Sequence, residues 1–298
     1  APDSFGTNGI YHETRIQLPR LATSLDSLFV EAPNTSFRGD GLRDLSFGSI
    51  SSALSNGSIA LEPVRTDVAR LQTSNSSINC TFESAGHVDL HTSNGSITAK
   101  IDLRDALDGR QSAVSTKSSN APLNIHVTAT ETVRGLWMEN TTSNGHVVVG
   151  ALIGRADRGS SIKAESTNSK IDFNVDASQS GQPLDVRTRT SNGSIVSSIM
   201  VPANHIFRGR SESSNAPVHV NLTEEFKGRF EVETRNAPAV VEGSEITLDH
   251  DNKYVKRGYR INDHPSEFRI STSNGSASLR FYPAGHSLAA VNDSEKQL

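Results

Sequence analysis

One short phrase, Ser-Asn-Gly-Ser-Ile or a close variant, returns along this chain, each time between two stretches of alternating apolar residues. Its asparagine falls at Asn56, Asn75, Asn94, Asn120, Asn144, Asn168, Asn192, Asn215, Asn236 and Asn274, with a degenerate copy at Asn34. The intervals are 22, 19, 19, 26, 24, 24, 24, 23, 21 and 38 residues. Self-similarity at periods of roughly 20 to 50 residues marks repeat arrays, whose units bury their apolar faces only by stacking on one another. A repeat of this kind explains itself as packing and leaves few residues over for chemistry.

The apolar residues alternate strictly. Val88, Leu90 and Thr92 lead into one asparagine, and Phe230, Val232 and Thr234 into another; Ile97, Ala99 and Ile101, then Ile171, Phe173 and Val175, follow theirs. A period of two places one set of side chains on one face of an extended chain, so each unit is two short strands joined at the asparagine. Asn and Gly both accept the left-handed backbone that a sharp corner can demand, which is the reading of the phrase itself.

Two architectures could use that corner. Asn-Gly is the strongest short-range hairpin signal and would pair Thr92 with Ile97 and Leu90 with Ala99. Against it, Asn120-Ala121-Pro122, Asn215-Ala216-Pro217 and Asn236-Ala237-Pro238 replace the glycine with alanine and add a proline that cannot donate a ladder hydrogen bond. The expectation is therefore an all-β, single-domain parallel β-solenoid of about ten or eleven coils, roughly 50 Å long at about 4.8 Å per rung. A stack of antiparallel hairpins is the runner-up. Residues 1–33 read as an N-terminal cap, 34–282 as the repeat domain with an insertion at 242–267, and 283–298 as a polar C-terminal tail.

Hydrophobic content of 34% and aromatic content of 5% are lean for a globule, but a thin two-sheet array needs less core. The formal net charge of −4, with both signs interspersed, argues against a nucleic-acid binder. No stretch of 18 apolar residues suggests a membrane span, and a secreted origin would require a leader removed before Ala1. Sequons embedded in the repeat arise automatically from Asn-Gly-Ser, whereas those at Asn79, Asn140, Asn221 and Asn292 are independent of it and lean towards a secretory protein. Asn79, Asn221, Asn94, Asn192 and Asn292 are the glycosylation candidates, while Asn140 falls on inward parity and is expected unmodified. The single cysteine, Cys80, also falls on inward parity and reads as a small buried hydrophobe.

The phrases Thr92-Ser93-Asn94-Gly95-Ser96-Ile97, Thr190-Ser191-Asn192-Gly193-Ser194-Ile195 and Thr272-Ser273-Asn274-Gly275-Ser276-Ala277 resemble the repeats of the adhesin domain family of unknown function. That family occurs in bacterial envelope proteins and in secreted or membrane-anchored proteins of filamentous and mushroom-forming fungi. The likeness runs from about Leu28 to Phe281, and the segment Ile270 to Phe281 is similar to the fungal ending. It implies a right-handed β-solenoid in an extracellular or cell-wall setting, and it supplies no catalytic residues.

Few positions rise above the repeat. Outward positions five residues before each asparagine run Asp89, Ser115, Glu139, Lys163, Arg187, Arg210, Glu231 and Arg269, which in chain order reads as a solvated face with cross-strand ion pairs. The histidines share no column with metal-ligand spacing, so no catalytic residue, metal or cofactor is expected. Within the insertion, Asp249 and Asp251 are candidate ligands for a cation such as Ca²⁺, and Glu242, Glu245, His250, Asp263 and His264 are candidates for ligand binding. The competing reading there is a capping hairpin, Glu245 to Asp249 against Tyr254 to Ile261, shielding the final coil Phe268 to Phe281. Trp137, on outward parity, is a candidate platform for a sugar ring.

The resulting expectation is a non-enzymatic secreted or cell-wall solenoid that presents a glycosylated surface to polysaccharide or cell-surface glycans. A carbohydrate-active lyase or hydrolase and an end-to-end self-associating fibre are the alternatives.

Overall fold

The computed structural model describes residues 22–107, 109–131, 134–261 and 264–283, and it is all-β, with 22 strands and no helix among them. In chain order the strands are β1 (Ser24–Ala32), β2 (Phe37–Gly39), β3 (Ser46–Leu54), β4 (Ile59–Thr73), β5 (Ile78–Thr92), β6 (Ile97–Arg104), β7 (Ser112–Lys117) and β8 (Leu123–Glu131). They continue with β9 (Leu136–Thr142), β10 (Val147–Ile153), β11 (Ser160–Ser166), β12 (Ile171–Asp176), β13 (Leu184–Thr190), β14 (Ile195–Met200), β15 (Phe207–Ser213) and β16 (Val218–Thr223). The last six are β17 (Gly228–Thr234), β18 (Ala239–Glu242), β19 (Ile246–Asp251), β20 (Val255–Arg260), β21 (Glu267–Thr272) and β22 (Ala277–Tyr282).

The strands form two parallel ladders. The leading ladder, built from the strand before each asparagine, runs β1, β3, β4, β5, β7, β9, β11, β13, β15, β21, β17. The trailing ladder, built from the strand after it, runs β2, β4, β5, β6, β8, β10, β12, β14, β16, β22, β18. Strands β4 and β5 serve both ladders, crossing between them at bulges near Val64 and Phe82. Elsewhere a loop makes that second corner, as between Arg104 and Ser112, and the loops absorb the unequal repeat spacing. The first described strand, β1, is thus a rung of the leading ladder in register with β3.

Antiparallel stacking of hairpins is contradicted. Thr92 pairs with Thr73, and Ile97 with Ile78 and Leu123, all in parallel; among the described residues the antiparallel pairings, β19 with β20 and β20 with β17, all involve the one hairpin β19–β20. Alternation survives in the burial: β13 is buried at every second residue from Leu184 to Thr190, as is β11 from Ser160 to Ser166. The inward residues of both ladders merge into one core.

The corner works differently from the sequence expectation. Among the described residues no asparagine or glycine of the phrase has a positive φ; the non-glycine positive values are at Asn204, Glu245 and Ile261. Glycine is needed instead for close approach. A Cβ on Gly95 would stand 1.8 Å from the Ser76 carbonyl oxygen of the neighbouring unit, and one on Gly193 would stand 2.0 Å from that of Ser169. From Thr92 onwards a hydroxyl two residues before the asparagine closes most corners: Thr92 Oγ1 accepts from Gly95 N (3.1 Å) and donates to Ser76 O (3.2 Å), and Ser213 Oγ does the same for Ala216 N (3.2 Å) and Gly193 O (3.0 Å). Proline fits after the asparagine because that position contributes its carbonyl, as Pro122 does to Ile97 N (3.0 Å).

The asparagines form a continuous column of side-chain amides. Each Nδ2 donates to the Oδ1 of its neighbour at 2.6–2.8 Å, from Asn56 to Asn34 through Asn215 to Asn192. Then the order changes. Asn274 donates to Asn215, and Asn236 donates to Asn274, both at 2.7 Å. The last unit in the chain, β21 with β22, therefore lies between the units of Asn215 and Asn236. Stacked rings fasten it: Phe268 on Phe207 and Phe281 on Phe226, each with centroids 5.7 Å apart.

The insertion folds as the hairpin β19–β20, but it does not cover the final unit. Strand β20 pairs with β17, which is the last rung of the leading ladder in space. Arg260, 2% exposed, pins it there by donating to the carbonyls of Glu224, Phe226 (3.1 Å) and Ser244 (3.2 Å) and to the Glu245 carboxylate (3.2 Å).

Candidate functional site

Because β21 slides in between β15 and β17, outward residues that are distant in the chain become neighbours. In register across adjacent strands stand Glu139, Lys163, Arg187, Arg210, Arg269, Glu231 and Arg257. The chain-order column, with Glu231 following Arg210, interrupted the positive charge; the spatial column does not. Four cations now occupy consecutive rungs, at the spacing of about 4.8 Å set by strand pairing. Cross-strand ion pairs are the sequence expectation along this face; over these four rungs like charges are neighbours instead.

This row floors an open groove of about 860 Å³ on the outer face of the leading ladder, with Asp249, His250 and Arg257 of the hairpin along one side. Seven Lys or Arg side chains line it against four Asp or Glu, so it is locally basic in a chain of net charge −4. Flanking glutamates offset part of the repulsion between like charges. Lys163 Nζ meets Glu139 at 2.9 Å and Glu165 at 3.0 Å, Arg269 meets Glu233 at 3.1 Å and Glu231 at 3.5 Å, and Arg210 pairs with Glu212. The hydrogen bond that Lys163 donates to Glu139, reinforced by Glu165, holds its ammonium above the ordinary lysine value despite some desolvation. Arg187 is the least compensated of the four, with Glu165 at 3.9 Å. In the parallel row two residues earlier, Arg208 is exposed and has no ion-pair partner among the described residues.

Trp137 lies on β9, 39% exposed, in register with Ser161 at the edge of the groove. Its ring is two residues before Glu139 and so on the same outward face. Its neighbour β11, the next leading strand in the chain, carries Lys163, so Trp137 adjoins the end of the cationic row that follows chain order.

The acidic candidates of the insertion are dispersed rather than gathered. Glu242 pairs with Arg280 at 2.9 Å, Glu245 with Arg260, and Asp251 with Lys256; His250 contacts Asn252 at 2.8 Å and His264 contacts Ser266 at 3.0 Å. Asp249 faces the groove, and Asp263 lies outside the described residues. No group of three or more His, Cys, Asp or Glu poised for a metal ion occurs among the described residues. Among the described residues the neighbours of Asp249 and Asp251 supply no cation cage, because separate local ion pairs take up their carboxylates.

The remaining candidates separate by exposure. Asn79 is exposed and Asn221 partly so, while Asn140 is buried, accepting from Thr116 Oγ1 at 2.8 Å. Asn94 and Asn192 already commit their amide nitrogens to the column, and Asn292 lies outside the described residues. Cys80 is buried, and desolvation pushes its thiol up to about 12. Burial likewise raises the Tyr282 phenol to about 12, with help from the charges of Asp176 and Glu225. No helix of the described residues is long and apolar enough to cross a membrane. Comparison with protein-family models, curated proteins and solved structures finds no match to this chain.

Proposed function

We propose that the protein is a non-enzymatic β-solenoid whose two ladders are the walls of its coils, and that it presents a rigid surface to polysaccharide in a secreted or cell-wall setting. The observation that carries this reading is the asparagine column, which ties eleven units from Asn34 to Asn236 by side-chain hydrogen bonds in addition to the backbone ladders. Such a column resists shear between rungs and suits a scaffold that holds its outer face flat and fixed. The outer face, rather than any enclosed cavity, then carries recognition. The carboxylate best placed in the groove, Glu231, is engaged by both Arg257 (2.6 Å) and Arg269 (3.5 Å), which suits an ion-pair network better than an acid and base flanking a bond.

The test combines shape, binding and turnover. Scattering from the purified protein should give a rod about 50 Å long, from eleven rungs at about 4.8 Å. A glycan array should find oligosaccharide ligands, and the same glycans incubated with the protein should be recovered intact. Release of shortened or unsaturated products would overturn the reading in favour of a hydrolase or lyase.

A further inference from the structure

We propose that the basic groove on the leading ladder binds a strand of an acidic polysaccharide built from uronate residues, with Lys163, Arg187, Arg210 and Arg269 meeting successive carboxylates and Trp137 stacking on a sugar ring at one end. This rests on the reading of the protein as a polysaccharide-binding scaffold and adds the charge, position and length of the ligand.

Three features point to this class. Placing four cations on adjacent strands is unfavourable by itself, since like charges directly opposite destabilise a sheet. A bound polyanion relieves that repulsion, most of all at Arg187, whose carboxylate partner is 3.9 Å away. Second, the row runs across the strands, along the stack, and its rungs repeat at about 4.8 Å, a distance comparable to the length of one pyranose residue in a linear chain. A polyuronate carries one carboxylate per sugar, and the guanidinium fork matches the two oxygens of a carboxylate. Third, the exposed indole of Trp137 offers an apolar face beside the row, as a sugar ring requires and a simple anion does not.

The ends of the site are marked as well. Glu139 precedes Lys163 and Glu231 follows Arg269 in the register, so carboxylates close the row at both sides. A uronate chain therefore meets about four favourable rungs, each roughly one strand spacing long, and sugars beyond those add little.

Calorimetry with oligogalacturonate, its methyl ester, a neutral cello-oligosaccharide and dextran sulfate tests this. The expected result is binding of the free acid above all others, weakening as salt is raised because the contacts are exposed charges. The double variant Arg187→Gln/Arg210→Gln should lose at least about tenfold in affinity through two charge-assisted contacts, with a melting temperature that does not fall. Trp137→Ala should weaken binding severalfold while leaving its salt dependence in place, and Lys100→Gln, on the exposed face of the other ladder, should change nothing. Equal affinity for the methyl ester or the neutral oligosaccharide, with the arginine variant unaffected, would overturn the acidic-ligand assignment and leave the scaffold reading standing. Equal affinity for dextran sulfate would reduce the groove to a general polyanion surface and overturn the uronate assignment. Failure to bind any of the four would overturn the uronate assignment, and an empty glycan array beside it would overturn the polysaccharide reading as well.

Discussion

From Asn34 to Asn215 each unit rests on the one before it in the chain, with neighbouring asparagines 19 to 26 residues apart. Past Asn215 this order breaks: the neighbour of Asn215 is Asn274, 59 residues on, and Asn236 comes after it, 38 residues back. Both regions use the same corner, the same amide bond and the same alternation. The shared corner, amide bond and alternation thus dictate what a unit is and say nothing of which unit it joins.

One detail of the corner does carry that information. Along the stack, the residue after each asparagine reads Thr35, Gly57, Ser76, Gly95, Ala121, Gly145, Ser169, Gly193, Ala216, Gly275, Ala237. Glycine alternates with a residue bearing a Cβ, so no two side chains meet where the corners approach most closely. Chain order would put Ala237 directly on Ala216. The inserted position of Gly275 restores the alternation, with its hydrogen in place of a Cβ that would stand 2.2 Å from the Ala216 carbonyl oxygen.

The largest effect should come from violating that rule. Gly193→Val in the regular region and Gly275→Val in the reordered one should each cost about 3 kcal/mol or more, because backbone rather than a flexible side chain opposes the new atoms. Denaturant midpoints would measure it. A small cost at Gly275 alone would mean that it does not lie on Ala216.

Next is the hairpin that closes the reordered end. Arg260→Ala leaves the carbonyls of Glu224, Phe226 and Ser244 without this donor, the Phe226 carbonyl in a buried setting, a loss of about 2 to 3 kcal/mol. Hydrogen exchange should then speed up first in β17 and β20, with the regular units unchanged.

Smaller effects divide the column itself. Asn168→Ala breaks two amide bonds, to Asn144 and from Asn192, and should cost about 1 to 2 kcal/mol, whereas Asn236→Ala at the end of the column breaks one and should cost about half as much. Equal costs at the two sites would show that the amides contribute little as a column.

The smallest effect is confined to alkaline solution. With its thiol raised by burial from 9.0 to about 12, folded Cys80 keeps a proton that the unfolded chain releases from about pH 9. This contribution is complete below pH 9 and is lost as pH rises towards 12, since in that window the unfolded state binds fewer protons. Cys80→Ala should flatten the fall in stability between those values without altering the slope near neutrality.

Much of this was legible in the chain. Alternation around each asparagine located the strands, and Ala-Pro at Asn120, Asn215 and Asn236 spoke correctly against hairpins, because parallel neighbours use the proline carbonyl and have no need of its missing N–H. The left-handed corner was a misreading: Asn-Gly is common to tight turns and to close-packed corners, and only the neighbouring unit distinguishes them. Three members of the basic row, Lys163, Arg187 and Arg210, stood together in the sequence column; the fourth was hidden because stacking order decides it, since read in sequence Glu231 separates Arg210 from Arg269, and in space Arg269 moves ahead of it. Arg260 was missed for a related reason, since a charged residue on a strand looks solvated until the carbonyls it reaches have been brought around it.

The most direct test of the account is the identity of the strand beside β16. His219 and Ser278 are in-register neighbours, joined at 2.8 Å, and Val240 lies one strand further out beside Ser278. With Cys80 replaced by alanine to remove the buried thiol, the pair His219→Cys/Ser278→Cys should oxidise to an intrachain disulfide in the folded protein, and the pair His219→Cys/Val240→Cys should stay reduced. A disulfide between positions 219 and 240, with none between 219 and 278, would place the units in chain order and contradict both the inserted unit and the cationic row built on it.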